Sequence, residues 1–302
     1  MTETGRAPID FPATIGVWWA SDTWPITQAQ EVAREIEALG YGSLFLPEVT
    51  GKEALTQSAA FLAATDRLVV GTGIANIHAR AASAAESGGR LLTALHPGRF
   101  VLGLGVSHAP LVQHGFGGVY DKPLATMRAY LDRMASVPEA IEPGAGRPVR
   151  LLAALGPKMI ELSGIHADGA HPYLVMPEQS RKTREILGPD KWIVSEQAVV
   201  VGGQADEQLR FAHGHLDVYS GLPNYRNSWL RQGFEESDLV RGGSDRLAKG
   251  LVGMGTVDDA AASVRAHLDA GADHVVVQVL GENPTADPRS ALRTLAEALE
   301  LG

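Results

Sequence analysis

Apolar residues fall along this chain in two alternating rhythms. Short, nearly continuous apolar runs at 15–19, 43–47, 68–73 and 100–104 leave no solvated face, and all but the second contain β-branched residues. Such runs predict strands buried on both sides. Between them the spacing changes. Ala29, Val32, Ala33, Ile36 and Leu39 recur at helical intervals, and Gly40 supplies the stop. Thr27 and Gln30, three apart, read as a capping box at the head of this helix. Helices are likewise predicted over 55–64, 81–95 and 124–137. Gly88-Gly89 inside the third marks either close packing against another element or a kink.

The alternation continues with strands at 149–154, 167–170 (weak), 192–201 and 274–280. Helices are expected over 157–164, 178–187, 205–219 and 287–299. A further helix opens on Thr256, with Asp258 and Asp259 in its first turn, and ends at Gly271. Residues 1–13 read as a loose lead-in and 142–148 as a turn-rich linker inside the fold. The long loop 105–123 and a helical excursion over 221–250 interrupt the rhythm. Eight strands, each followed by helical sequence, predict an α/β fold of the (β/α)8 barrel type. The whole chain, 1–302, is one domain with insertions after strands four and seven. The competing doubly wound open sheet would need an early Gly-x-Gly-x-x-Gly opening a helix, and strand one is not followed by one.

Composition narrows the function classes. The chain is 45% hydrophobic and 20% charged, with a net charge of −9, so no nucleic-acid footprint is expected. Cysteine is absent, which excludes disulfides, thiolate catalysis and thiolate-bound metals, and is compatible with a cytoplasmic setting. No apolar run approaches the roughly 18 residues of a membrane helix, and the N-terminus has no apolar signal core. His213/His215 and His166/His171 lack a shared-face spacing with acids, so no metal site is expected. Ser107 lacks a nucleophile elbow.

Ligands of such barrels sit at the C-terminal ends of the strands. That rule selects Trp18, Trp19 and Trp24 after strand one, Glu48 after strand two, Ile74, Asn76 and His78 after strand three, and Gly105, Ser107 and His108 after strand four. It also selects 155–159 after strand five, and Glu196 and Gln197 after strand seven. Gly71 and Gly73 in the third strand mark either a bulge or backbone that something must approach closely. Gly156-Pro157 opens a helix whose free N–H groups, with Lys158 beside them, make either an anion socket or simply a good helix start. Glu48 is either a general acid or base, or a structural acid holding backbone N–H groups or an arginine such as Arg80. Tyr225, Trp229 and Phe234 either wall a substrate entrance or pack the excursion onto the barrel.

These segments, in this order, resemble the bacterial luciferase-like monooxygenase superfamily, in its branch of deazaflavin (coenzyme F420)-dependent oxidoreductases. The residues carrying the resemblance are 15–19, 40–48, 70–76, 97–105, 155–159 and 270–274. The resemblance implies a cis peptide at Gly73-Ile74 backing the cofactor ring, and Asn76 bonded to a ring edge. It places Gly105, Val106 and Ser107 along the cofactor's side chain, and Leu155, Gly156, Lys158 and Met159 at its phosphate. It further implies a homodimer. The sequence departs from the family's sugar-phosphate dehydrogenases, because Val49 rather than a histidine follows Glu48, and His108 stands where they carry a glutamate. With Glu48, His108 is the remaining candidate catalytic group, in hydride transfer between F420 and a small organic substrate. Two alternatives stay open: an FMNH2-dependent two-component monooxygenase of the same fold, and a non-catalytic barrel that binds the cofactor.

Overall fold

A barrel strand needs apolar side chains on both faces, because one face meets the helices and the other fills the interior. Period two delivers this. In the computed structural model, which describes residues 8–138, 146–283 and 286–302, Val275 and Val277 face the helix layer while Val276 faces inward. Leu44 and Leu46 alternate with Phe45, and Phe100, Leu102 and Leu104 with Val101, in the same way.

Eight parallel strands close the barrel. They are β1 (Ile15–Trp18), β2 (Ser43–Leu46), β3 (Val69–Thr72), β5 (Phe100–Gly105), β6 (Val149–Leu152), β7 (Gly169–Ala170), β8 (Trp192–Val199) and β10 (His274–Val279), with β10 pairing back onto β1. Two short strands extend the rim. β4 (Ala75–Asn76) continues β3 and pairs with β5; β9 (Val252–Gly253) pairs with the end of β8. The chain is therefore the expected (β/α)8 barrel. β9 was not foreseen, since two residues beside glycines carry no periodicity to read.

The outer layer is formed by α1 (Ile26–Ala38), α2 (Ala54–Ala64), α3 (Ala82–Leu95), α4 (Pro123–Ala135), α5 (Pro157–His166), α6 (Pro177–Leu187), α7 (Ala205–Ser220), α10 (Val257–Asp269) and α11 (Arg289–Ala298). The excursion supplies α8 (Pro223–Arg231) and α9 (Asp245–Leu251). Gly88 and Gly89 are packing glycines. A Cβ would come within 2.8 Å of Leu55 Cδ1 at the first, and within 2.7 Å of Pro148 Cγ at the second. The capping box at Thr27 does not form. α1 starts at Ile26 after Pro25, so Thr27 is already inside the helix, and Gln30 Nε2 donates instead to Ala60 O at 2.8 Å. Thr256 does cap its helix, and Asp259 completes a capping box with it. Part of the lead-in (1–7) and part of the linker (142–145) lie outside the described residues.

The bottom of the barrel is plugged by Phe11 stacked on His274 at 4.0 Å, with Ser43 Oγ bonded to His274 Nε2 at 2.7 Å. The C-terminal mouth is different: polar, aromatic and glycine-lined.

Candidate active site

The mouth is built from the C-terminal ends of the barrel strands and the corner between α7 and α8. Its floor begins at Gly73. The Gly73-Ile74 peptide bond is cis, as the resemblance implied. Trp18 Nε1 donates to Gly73 O at 2.7 Å, and the Glu48 N–H donates to Ile74 O at 3.1 Å. Only glycine fits at 73: a Cβ would lie 2.8 Å from Trp18 Nε1 and 3.0 Å from His171 Nε2. The neighbouring strand repeats the theme, because a Cβ at Gly105 would fall 2.5 Å from Ile74 Cδ1 and 3.4 Å from Ala153 Cβ. The bare backbones of β3 and β5 thus give way to one protruding side chain, Ile74.

On one side of this floor sits Glu48, 7% exposed. Its Oε1 accepts the Ala54 N–H at 3.0 Å, and its Oε2 accepts the Asn76 N–H at 2.8 Å and Arg80 Nη1 at 2.8 Å. Arg80 Nη2 also pairs with Oε1. Of the two roles weighed for Glu48, its contacts are those of the structural acid: four donors fill its two oxygens. Asn76 is fully buried; its Oδ1 accepts the His78 N–H at 3.0 Å, and its Nδ2 has no partner among the described residues.

On the opposite side, β7, β8 and α7 bring together groups that resist ionisation. Glu196 is 1% exposed. Its Oε2 accepts the Leu174 N–H at 3.0 Å, its Oε1 has no partner among the described residues, and burial pushes it up to about 8. Burial holds His171 and His215 down to about 4. Tyr173 Oη donates to Gln278 Oε1 at 2.7 Å and lies 3.0 Å from Tyr219 Oη and 3.3 Å from His215 Nε2. Burial raises Tyr219 to about 12, and Tyr173 and Tyr225 well above 10. Gln197, selected beside Glu196, points the other way, to His267 Nε2 at 2.8 Å in the helix layer.

His108 joins the two sides. It is half-buried, burial lowers its pKa, and an Asn224 hydrogen bond partly offsets this. Its ring centroid is 5.6 Å from that of Tyr225, which packs 4.8 Å from Tyr219. Val106 and Ser107 are half-buried beside it, with Ser107 in the left-handed region at φ 59°. The excursion's aromatics divide between the two readings. Trp229 and Phe234 are buried packing residues, while Tyr225 meets His108 at the mouth.

At the rim, Gly156 caps α5 and Pro157 is its first residue. Lys158 is exposed, and Leu155 and Met159 are half-buried. Arg231, from the last turn of α8, donates to Leu155 O at 3.2 Å and so adds a guanidinium beside Lys158. Sequence reading missed Arg231, because nothing local ties the excursion to α5. It also missed His171, Tyr173, His215 and Tyr219. The last two were accessible in principle, since His215 and Tyr219 are four apart on one helix face. Among the described residues, no group of three or more acids and histidines could hold a metal ion, and no helix is long and apolar enough to cross a membrane.

The mouth of this closed parallel barrel thus combines tightly packed glycines, an orphaned buried amide and a rim of cationic and helix-start groups. The family model for luciferase-like monooxygenases matches residues 11–274, and the chain belongs to that family, as an enzyme of the oxidoreductase class. It is 25% identical over 307 residues to the Mycobacterium tuberculosis protein Rv3520c, whose name assigns it provisionally as a coenzyme F420-dependent oxidoreductase. That match covers 82% of this chain and 85% of the relative. Among solved structures, it resembles an F420-dependent secondary alcohol dehydrogenase in complex with an F420-acetone adduct, at a TM-score of 0.75 and 14% identity over 95% of this chain and 98% of the other. It also resembles, at 0.69 and 13% identity over 95% and 98%, a type II Baeyer-Villiger monooxygenase from Pseudomonas putida in complex with FMN. At those identities both show the fold.

Proposed function

We propose that the protein is a coenzyme F420-dependent oxidoreductase that transfers hydride between the deazaflavin and a small organic substrate. The observation that carries this reading is the end of strand three, where Ile74, seated over the bare backbone of Gly105, stands near the orphaned Nδ2 of buried Asn76. A flat ring with a polar edge meets both features. The named relative favours the deazaflavin over FMN.

When bound, the deazaflavin would supply or accept the hydride at its ring carbon. Ile74 would back the ring and Asn76 Nδ2 would donate to its edge. Gly105, Val106 and Ser107 would run along the side chain. Leu155, Gly156, Lys158 and Met159, joined by Arg231, would hold the phosphate through helix N–H groups and cationic side chains. We assign Glu48 to positioning: its Oε2 fixes the Asn76 backbone while Arg80 satisfies the rest. His108 is the proton carrier. Burial keeps its imidazole neutral near pH 7, so it can take a proton from a substrate hydroxyl during oxidation and return it during reduction.

The FMN-bound neighbour makes an FMNH2-dependent monooxygenase the second reading. Fluorescence titration with each cofactor separates them. Tight deazaflavin binding with weak FMN binding is expected, and the reverse would replace the first reading with the second. Binding without turnover across a broad substrate panel would favour the non-catalytic barrel. With a turned-over substrate in hand, His108→Ala should lose about a hundredfold in rate; a rate equal to the parent's would remove its assigned role. Family likeness also favours a homodimer, which sedimentation can check.

A further inference from the structure

A cavity of about 480 Å³ opens on the rim across the barrel from β5, between the ends of β1, β8 and β10 and the heads of α10 and α11. That volume suits a small organic molecule. Its walls are mainly apolar, with Val200, Phe211, Val257, Val279 and Leu280 among them, and Trp19 stands beside these. The groups assigned to the cofactor lie on β3, β5 and α5, so this cavity is a different place.

Trp18 and Trp19 pack on opposite sides of the barrel wall. Trp18 commits its Nε1 to Gly73 O. Trp19 is 4% exposed, and its Nε1 is buried with no partner among the described residues. Trp24 packs against the Trp19 ring at 5.4 Å and 73°. A buried N–H without an acceptor is costly, and such a group calls for a partner that the chain does not supply.

Charge decides between classes of partner. None of the described lining residues is a lysine, arginine or histidine, so an anion meets no counter-ion. Asp287 is an acid in the wall, and Arg289 already holds its two oxygens at 2.9 and 2.5 Å. Thr256 and Asp259 are committed to each other at the head of α10. A cation therefore meets only a carboxylate that is already paired. An ion of either sign would give up its hydration for little in return.

We propose that this cavity is a binding site, separate from that of the cofactor, for a small uncharged molecule. Its apolar body would lie on the valines, and its one hydrogen-bond-accepting oxygen would take the Trp19 Nε1–H. The proposal goes beyond the oxidoreductase reading and does not rest on it.

Two-dimensional NMR of the full protein, labelled with nitrogen-15 at its five tryptophans, tests it. Trp19→Phe identifies the Trp19 indole peak by its loss. The probes share one ring: N,N-dimethylcyclohexanecarboxamide, cyclohexanecarboxylate and cyclohexylmethylammonium. The amide should move the Trp19 peak saturably, and both ions should bind about tenfold more weakly or worse. Ala291→Leu, at a half-buried position of α11 that lines the cavity, should weaken the amide about tenfold by filling the space. Trp19→Phe should weaken it about fivefold in ligand-observed titration. Thermal melting checks that each variant folds; should either not, the peak shift and probe ranking on the parent protein decide alone. A Trp19 peak unmoved up to the amide's solubility limit would leave the N–H to water only and overturn the proposal. An ion bound as tightly as the amide, or a folded Ala291→Leu that binds the amide like the parent, would do the same. So would displacement of the amide by excess deazaflavin or FMN, which would place it in the cofactor's own site.

Discussion

Glu48 and Glu196 are both shielded from solvent in the mouth of one barrel, and their surroundings give them opposite characters. Glu48 at the end of β2 has four donors converging on its two oxygens, two from Arg80 and two from the backbone. Glu196 in β8 has one backbone donor, and burial pushes it up to about 8. Two carboxyls with similar burial thus differ in the number of donors that reach them. The Glu48 side of the mouth is an ion-paired frame that holds backbone still. The Glu196 side gathers hydroxyls, imidazoles and an acid that burial pushes up to about 8.

The contrast breaks most visibly at Glu48. Glu48→Ala leaves the buried Arg80 guanidinium with the exposed Glu53 as its remaining acid. A loss of about 3–5 kcal/mol is expected in urea unfolding. A loss below about 1 kcal/mol would mean that the ion pair is not the frame described here.

Glu196 sharpens the comparison through pH. In the fold it titrates near 8, against 4.5 for an ordinary glutamate. Between those values the native state keeps a proton that the unfolded chain has released. This residue therefore makes stability fall as pH rises, by up to about 1.4 kcal/mol per pH unit. His171 and His215, held down to about 4 from 6.5, act in the opposite sense: their contribution is lost as pH falls through that window. Glu196→Gln keeps the histidines and removes the acid. Its stability relative to the parent should climb steadily between about pH 5 and about pH 8. A flat difference would show that Glu196 ionises normally.

The smallest effect is expected at Asn76, which links the frame to the floor. Asn76→Ala should weaken deazaflavin binding about tenfold, near 1.4 kcal/mol. An unchanged dissociation constant would take Asn76 out of the cofactor site.

Much of the barrel was legible because its signals are local. The apolar runs gave the eight barrel strands to within a few residues, and Gly40 and Thr256 marked a helix end and a helix start. The tight places Gly71 and Gly73 could be suspected from glycines in an otherwise packed strand. Thr27 failed as a cap because Pro25 and Ile26 had already begun the helix. Within the site, legibility stopped where a role depends on a distant partner. Glu48 could be acid or anchor until Arg80 and the Asn76 N–H were seen to fill it. Arg231 gave no sign of reaching Leu155, 76 residues away.

By itself, then, the sequence determined the closed alternation of strands and helices and the end of the barrel at which chemistry could occur. Both follow from periodicity and backbone preference, which act over a few residues. Only the tertiary structure decided which buried groups are charged and which are neutral. Ionisation depends on desolvation and on donors brought from across the chain, so it exists only after the barrel has closed.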